Sequence, residues 1–305
     1  MATTESISTT YAGEAANRFF SAALLAPTTL ANGGVTPFGG IKFKQVMPKL
    51  ELSGIIADAT CDFTDVGTIT RTEKVLTLED FEVNLKLCKN NYRPTWDAMG
   101  ASRYAGLAPT FADHLMQLVG ANIAASRETT IWQGVNANNG EFDGFETKLS
   151  LDADLPTANE LSGTTIDASN VISQLAAVLD GTPTRIYEKE GFGIRISTKI
   201  KKAFISAQAA LGYLDRYHVG QTPLDFEGIP LIHCAGMSDD VMVATYNDNL
   251  FYGFGEAGDP QSARMIDQEP LDGSNNVHVV AKWGDGVEYS VVNDIITYGI
   301  TNSAN

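Results

Sequence analysis

Between residues 41 and 90 the chain changes to a period of two. Phe81, Val83, Leu85 and Leu87 alternate with Glu82, Asn84, Lys86 and Cys88, and further back Ile41 and Phe43 alternate with Lys42 and Lys44. Side chains two apart share one face of a strand, so this pattern predicts half-buried β-strands. Residues 68–75, TITRTEKV, are β-prone and are bounded by Asp62, Asp65 and Gly67. The economical arrangement is a long two-stranded excursion with its tip near residues 62–67. An isolated ribbon of this kind is marginal in water. Its apolar face therefore asks for a neighbouring molecule.

The segment before it has the same difficulty. Residues 1–40 are rich in Thr, Ala, Ser and Gly and close on Asn32-Gly33-Gly34 and Pro37-Phe38-Gly39-Gly40. They read as an extended arm with at most one short helix, around residues 14–25, and such an arm needs another surface to lie on. The start of the chain lacks a basic leader and carries Glu5 and Glu14, so a secretory signal is not expected. No apolar run has the length needed to cross a bilayer.

The rest of the chain reads as a folded body. In residues 109–134, Phe111, Leu115, Val119 and Ile123 recur every fourth position with Leu118 beside them. They predict a helix of about six turns, opened by Thr110 and Asp113 and stopped by Gly134. Residues 165–260 alternate helix and strand signals. Ser169 is the expected cap of a helix through Leu179, residues 194–196 form a strand, and Thr198 opens a helix running to Gly212. Strands follow at 229–233, 241–245 and 250–254. After them, residues 263–267 and 277–283 are expected to pair, and a last strand runs through 291–300. The fold class is α+β.

Charge and rare residues narrow the function. With 37 acidic and 21 basic side chains among 305 residues, the net charge is −16. That disfavours electrostatic wrapping of nucleic acid or attachment to an anionic membrane. Cys61, Cys88 and Cys234 are odd in number and widely spaced, which reads as reduced thiols rather than a disulfide framework. None of His114, His218, His233 and His278 has the i, i+4 or Cys-x-x-Cys partner of a zinc site. The glycines of 253–258, GFGEAG, match the dinucleotide spacing. However, Asp259-Pro260 follows where a helix should begin and Glu256 would repel a pyrophosphate, so a turn after a strand is the better reading. Acid pairs such as Asp152/Asp154 and Asp239/Asp240 sit among turn residues. Nothing in the sequence argues for an enzyme or a cofactor.

The order of arm, β excursion, long helix, α/β unit and closing strands resembles the HK97-like fold of major capsid proteins from tailed double-stranded DNA bacteriophages. Three segments carry the resemblance: 58–65 (DATCDFTD) with 83–89 (VNLKLCK); 111–134, ending ETTIWQG; and 222–232 (TPLDFEGIPLI) with 242–245 (MVAT) and 249–254 (NLFYGF). It implies an N-terminal arm at 1–40, an extended β-hairpin E-loop at 41–92 and a P-domain at 93–164 with spine helix 111–134. A mixed α/β A-domain at 165–262, P-domain return strands at 263–286 and a C-terminal strand at 287–305 returning to the A-domain would follow. The implied function is a non-enzymatic shell subunit, self-assembling into hexamers and pentamers around double-stranded DNA that it does not bind by sequence. It would be assembled in the bacterial cytoplasm and carried in the virion, with portal, scaffolding or decoration proteins as possible partners.

The apolar residues of the arm and ribbon, Phe19, Phe20, Phe38, Phe63, Ile69, Phe81, Val83 and Leu85, are the expected inter-subunit contacts. The expected tip holds no lysine and the nearest after it is Lys74, so no isopeptide crosslink is expected. No long coiled extension precedes the arm, and Met1 is present, which favours separate scaffolding. Two other readings remain: an encapsulin-like nanocompartment shell, which usually begins with a helix rather than a Gly-rich arm, and a soluble α/β enzyme or ligand-binding protein.

Overall fold

The computed structural model describes residues 11–12, 28–56, 58, 67–88, 111–211, 224–255 and 263–304. Among these, the first elements are β1 (Tyr11–Ala12), α1 (Thr28–Ala31), β2 (Thr36–Phe38), β3 (Lys44–Ser53), β4 (Thr68–Thr77) and β5 (Glu79–Cys88). The body continues with α2 (Phe111–Gln133), α3 (Phe145–Leu151), β6 (Glu160–Leu161), α4 (Val171–Asp180), α5 (Thr184–Tyr187), β7 (Phe192–Ile196) and α6 (Thr198–Ala210). It closes with β8 (Asp225–Phe226), β9 (Ile229–His233), β10 (Met242–Tyr246), β11 (Leu250–Phe254), β12 (Ala263–Asp267), α7 (Glu269–Asp272), β13 (Asn276–Tyr289) and β14 (Ile296–Tyr298).

Three sheets organise these elements. β13 is the trunk of the first. It pairs antiparallel with β12, as the sequence leads one to expect, and with β11 and β5, while β2 adds in parallel to β11. The second has the order β6-β14-β10-β7-β9-β8. The third contains only β3 and β4, paired antiparallel from Lys44↔Thr77 to Ser53↔Thr68.

The ribbon is therefore shorter than its sequence period suggests. Its return strand is Thr68–Thr77, and Glu79–Cys88 leaves it to join β13 over residues 276–285. Alternation reports that one face of a strand is covered without saying by what. For residues 81–87 the cover is the chain's own helix. Leu115, Met116, Val119 and Ile123 of α2 bury against Val277, Val279, Ala281 and Met265, with Val83 and Leu87 packed alongside. Leu118, expected on that stripe, is instead 54% exposed.

The second sheet is covered by α4 and α6, whose Val171, Leu175, Val178, Ile200 and Phe204 pack on Ile194, Ile196, Met242 and Ala244. Thr198 opens α6, as the sequence leads one to expect, and Ser197 caps it, its hydroxyl accepting from the Ile200 amide. Asn170 rather than Ser169 precedes α4, because the Ser169 hydroxyl is held by Asp167. Leu250–Phe254, expected to continue the α/β unit, lies in the first sheet on β13. Of the expected last strand only Ile296–Tyr298 is extended and paired, after a short 3-10 turn at Val292–Asp294. A third core, with Trp132, Phe145, Leu149, Tyr252 and Ile295, lies between the two large sheets.

Candidate assembly surface

The ribbon grows from a tightly packed root. Leu76 is fully buried and clusters with Ile41 and Leu78, with Met47 and Phe251 against them. Two glycines make the close approach possible. A Cβ on Gly253 would stand 2.7 Å from Leu76 Cδ2, and one on Gly286 would stand 2.2 Å from the Thr77 carbonyl oxygen. Gly253 is thus a packing residue on β11, which accounts for the first glycine of the dinucleotide-like spacing.

One ion pair marks where the ribbon leaves the body. Lys74 Nζ donates to Asp152 Oδ2 at 2.8 Å and lies 5.0 Å from the centre of the Tyr289 ring. The Tyr289 hydroxyl donates to the same carboxylate oxygen. Burial alone would raise the Asp152 pKa, but the bonds from Lys74, Tyr289 and the Asp154 amide outweigh it and hold the carboxyl below its usual range. From Glu73 outward to Thr68 every residue of β4 is exposed.

The register sorts the two faces of this projection. On the face turned to the body lie Leu76, Lys74 and Met47. On the other, Val46 pairs with Val75 and Leu52 with Ile69, with Pro48 between. These four aliphatic side chains are 38–66% exposed. Arg71 and Glu73 on the same face pair with each other at 3.0 Å, so the face carries little net charge. Ile55 and Ile56 continue the apolar surface beyond the strand. A strip of aliphatic side chains on a two-stranded ribbon is costly to leave in water.

The arm is pinned where it crosses the body. The Thr29 amide and hydroxyl donate to the two oxygens of buried Glu128, which also accepts from the Gly236 amide, and Trp132 Nε1 donates to the Thr29 hydroxyl. Farther along, fully buried Arg195 donates through Nε to the Gly34 carbonyl at 2.9 Å. Its other nitrogens reach Gly193 O, Thr245 O and Asn247 Oδ1. All four acceptors are uncharged, and burial pushes its pKa down to about 10. The arm thus reaches β2 in a fixed position, presenting Phe38 in edge contact with Phe251.

The expected contact residues divide into three groups. Phe38, Ile69 and Leu85 are 41%, 66% and 40% exposed. Phe81 and Val83 turn inward: Phe81 rests on Phe142 and Trp283, and Val83 packs beside α2. Phe19, Phe20 and Phe63, like the expected helix near 14–25, residues 62–66 of the expected tip and Thr110, lie outside the described residues. Sequence reasoning missed Val46, Leu52, Val75 and Ile56. The pairing register exposes Val46, Leu52 and Val75, and Ile56 lies beyond the paired residues.

Little here suits catalysis. Cys234 is buried, its thiol pushed up to about 12 by burial, and Cys88 is a half-buried free thiol. His233 Nε2 meets the Thr198 hydroxyl and His278 Nδ1 meets Gln268. Among the described residues no three His, Cys, Asp or Glu side chains converge as metal ligands, and no helix is long and apolar enough to cross a membrane.

No protein-family model matches the sequence, and no curated protein matches it. Solved structures do match its shape. The capsid of a native GTA particle aligns over 99% of this chain and 95% of its own, with a TM-score of 0.60 and 12% identity. A structure from Mycobacterium phage Adephagia aligns over 91% and 90%, with a TM-score of 0.59 and 11% identity. The procapsid of satellite phage P4, which includes a size determination protein, aligns over 93% and 90%, with a TM-score of 0.54 and 12% identity. At such identities the likeness is one of fold. The chain has the fold of phage capsid subunits, along almost its whole length.

Proposed function

We propose that this chain is the major capsid protein of a tailed double-stranded DNA bacteriophage, self-assembling into hexamers and pentamers of an icosahedral shell. The observation that carries the reading is the ribbon Lys44–Thr77, which presents Val46, Leu52, Ile69 and Val75 uncovered on a body with a phage-capsid fold. In the shell a second copy covers that face, and repetition of one heterologous contact around five- and six-fold axes closes the rings. Residues 1–40 act as the arm, 41–92 as the E-loop with 44–77 its projecting part, and 93–164 as the P-domain with its spine helix. Residues 165–262 act as the A-domain, 263–286 as return strands and 287–305 as the closing segment.

The acidic balance suits a wall that encloses DNA without gripping its phosphates. Accessory proteins fit the same picture, since the satellite phage P4 procapsid includes one. Light scattering on the expressed protein after size-exclusion chromatography tests the reading. A megadalton species is expected, and a monomer or small oligomer at high concentration would contradict it. Nuclease-protected DNA in particles recovered from phage-producing cells separates a genome shell from a cargo compartment.

A further inference from the structure

One groove lies away from the ribbon's apolar face. It encloses about 880 Å³ and is lined by consecutive residues 79–84 of β5, by one stripe of α2 (Asn122, Ile123, Ser126, Arg127, Thr130) and by the loop 136–142. Successive side chains of a strand point to opposite faces, so a groove that all of residues 79–84 line reaches the strand's backbone. Among the described residues β5 pairs only with β13, and no described strand takes up the N–H and C=O groups of its other edge. An open edge beside a helix is the geometry by which an extended peptide is captured as an added strand.

The chemistry of the walls selects the peptide. Glu79, Asp80, Glu82 and Glu141 line the groove, and among the described residues its one cation, Arg127, is tied to Asp285. Glu82 has a distant partner in Lys282 at 3.5 Å, and Glu141 accepts from the Val135 amide and Asn138. An edge that only guards against pairing does so with charges of either sign. This one carries acid alone where it faces the groove, its lysine Lys86 lying outside. At the floor, the side chains of Arg127 and Asp285 are 4% and 1% exposed. Asp285 is engaged by Arg127, by the Tyr252 hydroxyl and by Trp283, whereas Arg127 Nε and Nη1 have no hydrogen-bond partner among the described residues. Two donors left over in a buried guanidinium are what a peptide carbonyl, or a water ordered by one, satisfies. Phe81 and Trp283 supply apolar and π surface for the stems of long cationic side chains.

We propose that this groove receives an extended basic segment of a separate protein, added as a strand to the open edge of β5. The chain itself is a poor source of such a segment, with 21 basic residues against 37 acidic. Of the described cations, Lys74, Arg127, Lys148, Arg185, Lys189 and Lys199 already pair with its own carboxylates. The docking rests on the groove alone and is independent of shell formation.

The test uses a fluorescein-labelled Lys-Val-Lys-Val-Lys-Val peptide, the same peptide N-methylated at alternate residues, and its Glu-Val counterpart. Fluorescence anisotropy is read on the full chain, with amide hydrogen exchange as the footprint. The parent peptide should bind and protect residues 79–88. N-methylation should weaken it about tenfold by removing strand hydrogen bonds, and the Glu-Val peptide should not bind. The variant E79Q/D80N/E82Q should lose about tenfold toward the parent peptide. Equal binding of parent and N-methylated peptides, or no protection at 79–88, overturns the proposal. Protection of 79–84 whenever copies associate without peptide also overturns it, by making a second copy the occupant. The peptide comparison on the unaltered chain keeps the test valid if the triple variant misfolds.

Discussion

Lys74 and Asp152 join the last anchored turn of the ribbon to the end of helix α3, with Nζ 2.8 Å from Oδ2 and the Tyr289 hydroxyl on the same oxygen. Inside this point the ribbon is held by Leu76 in the core. Outside it β4 is exposed throughout. The pair therefore sets the direction in which the apolar face points.

Removing that pair should loosen the ribbon without unfolding the body. Lys74 is a third exposed, so Lys74→Met should cost about 1 kcal/mol in denaturant unfolding. Amide exchange in residues 68–77 should quicken while β13 stays protected. Unchanged exchange in the ribbon would show that Leu76 alone fixes its direction.

The same pair gives a pH dependence of known sign. The folded-state pKa of Asp152 lies below its usual value, so its contribution is fully present above the unfolded value of about 4. It is lost as pH falls through the lower folded value. The stability difference between the parent chain and Lys74→Met should hold at neutral pH and vanish in the acid range. Thermal melts across pH 2–7 check this, and a difference that grows toward acid would contradict it.

Arg195 should be the costliest single cation to remove. Arg195→Met leaves the oxygens of Gly34, Gly193, Thr245 and Asn247 without their donor. A loss of about 3–5 kcal/mol is expected in chemical denaturation. Arg195→Lys should recover little, because one ammonium cannot serve acceptors arranged for a planar fork. Limited proteolysis should then cut the arm between residues 28 and 38 before the rest of the chain.

Ile69→Asp and Leu52→Asp separate folding from association. Both side chains are more than half exposed, so each variant should keep the subunit's stability to within about 0.5 kcal/mol. Each places an unpaired carboxylate where a neighbour must bury it. Light scattering should show these variants failing to form large particles. Wild-type assembly by both would remove the ribbon face from the interface.

Much of this architecture is legible in the sequence because its signals are local. The four-residue recurrence of Leu115, Val119 and Ile123 gives α2, and the turn residues near 270–276 give the pairing of β12 with β13. What escapes is set by distant partners. Residues 81–87 alternate as a ribbon strand would, yet their covered face lies against α2 and β13, some thirty and two hundred residues away. The clamps on the arm, Glu128 to Thr29 and Arg195 to Gly34, span 99 and 161 residues. Nothing in the local pattern around either charge announces a buried partner so far along the chain. The exposed faces of Leu52 and Ile69 follow from a register of pairing, which a one-residue slip would invert.

Electron cryo-microscopy of particles formed by the protein tests the central claim most directly. An icosahedral shell is expected, with the face of Val46, Leu52, Ile69 and Val75 lying against a neighbouring copy in hexamers and pentamers alike. A discrete small species, or a shell in which that face of the ribbon stands in solvent, would contradict the account.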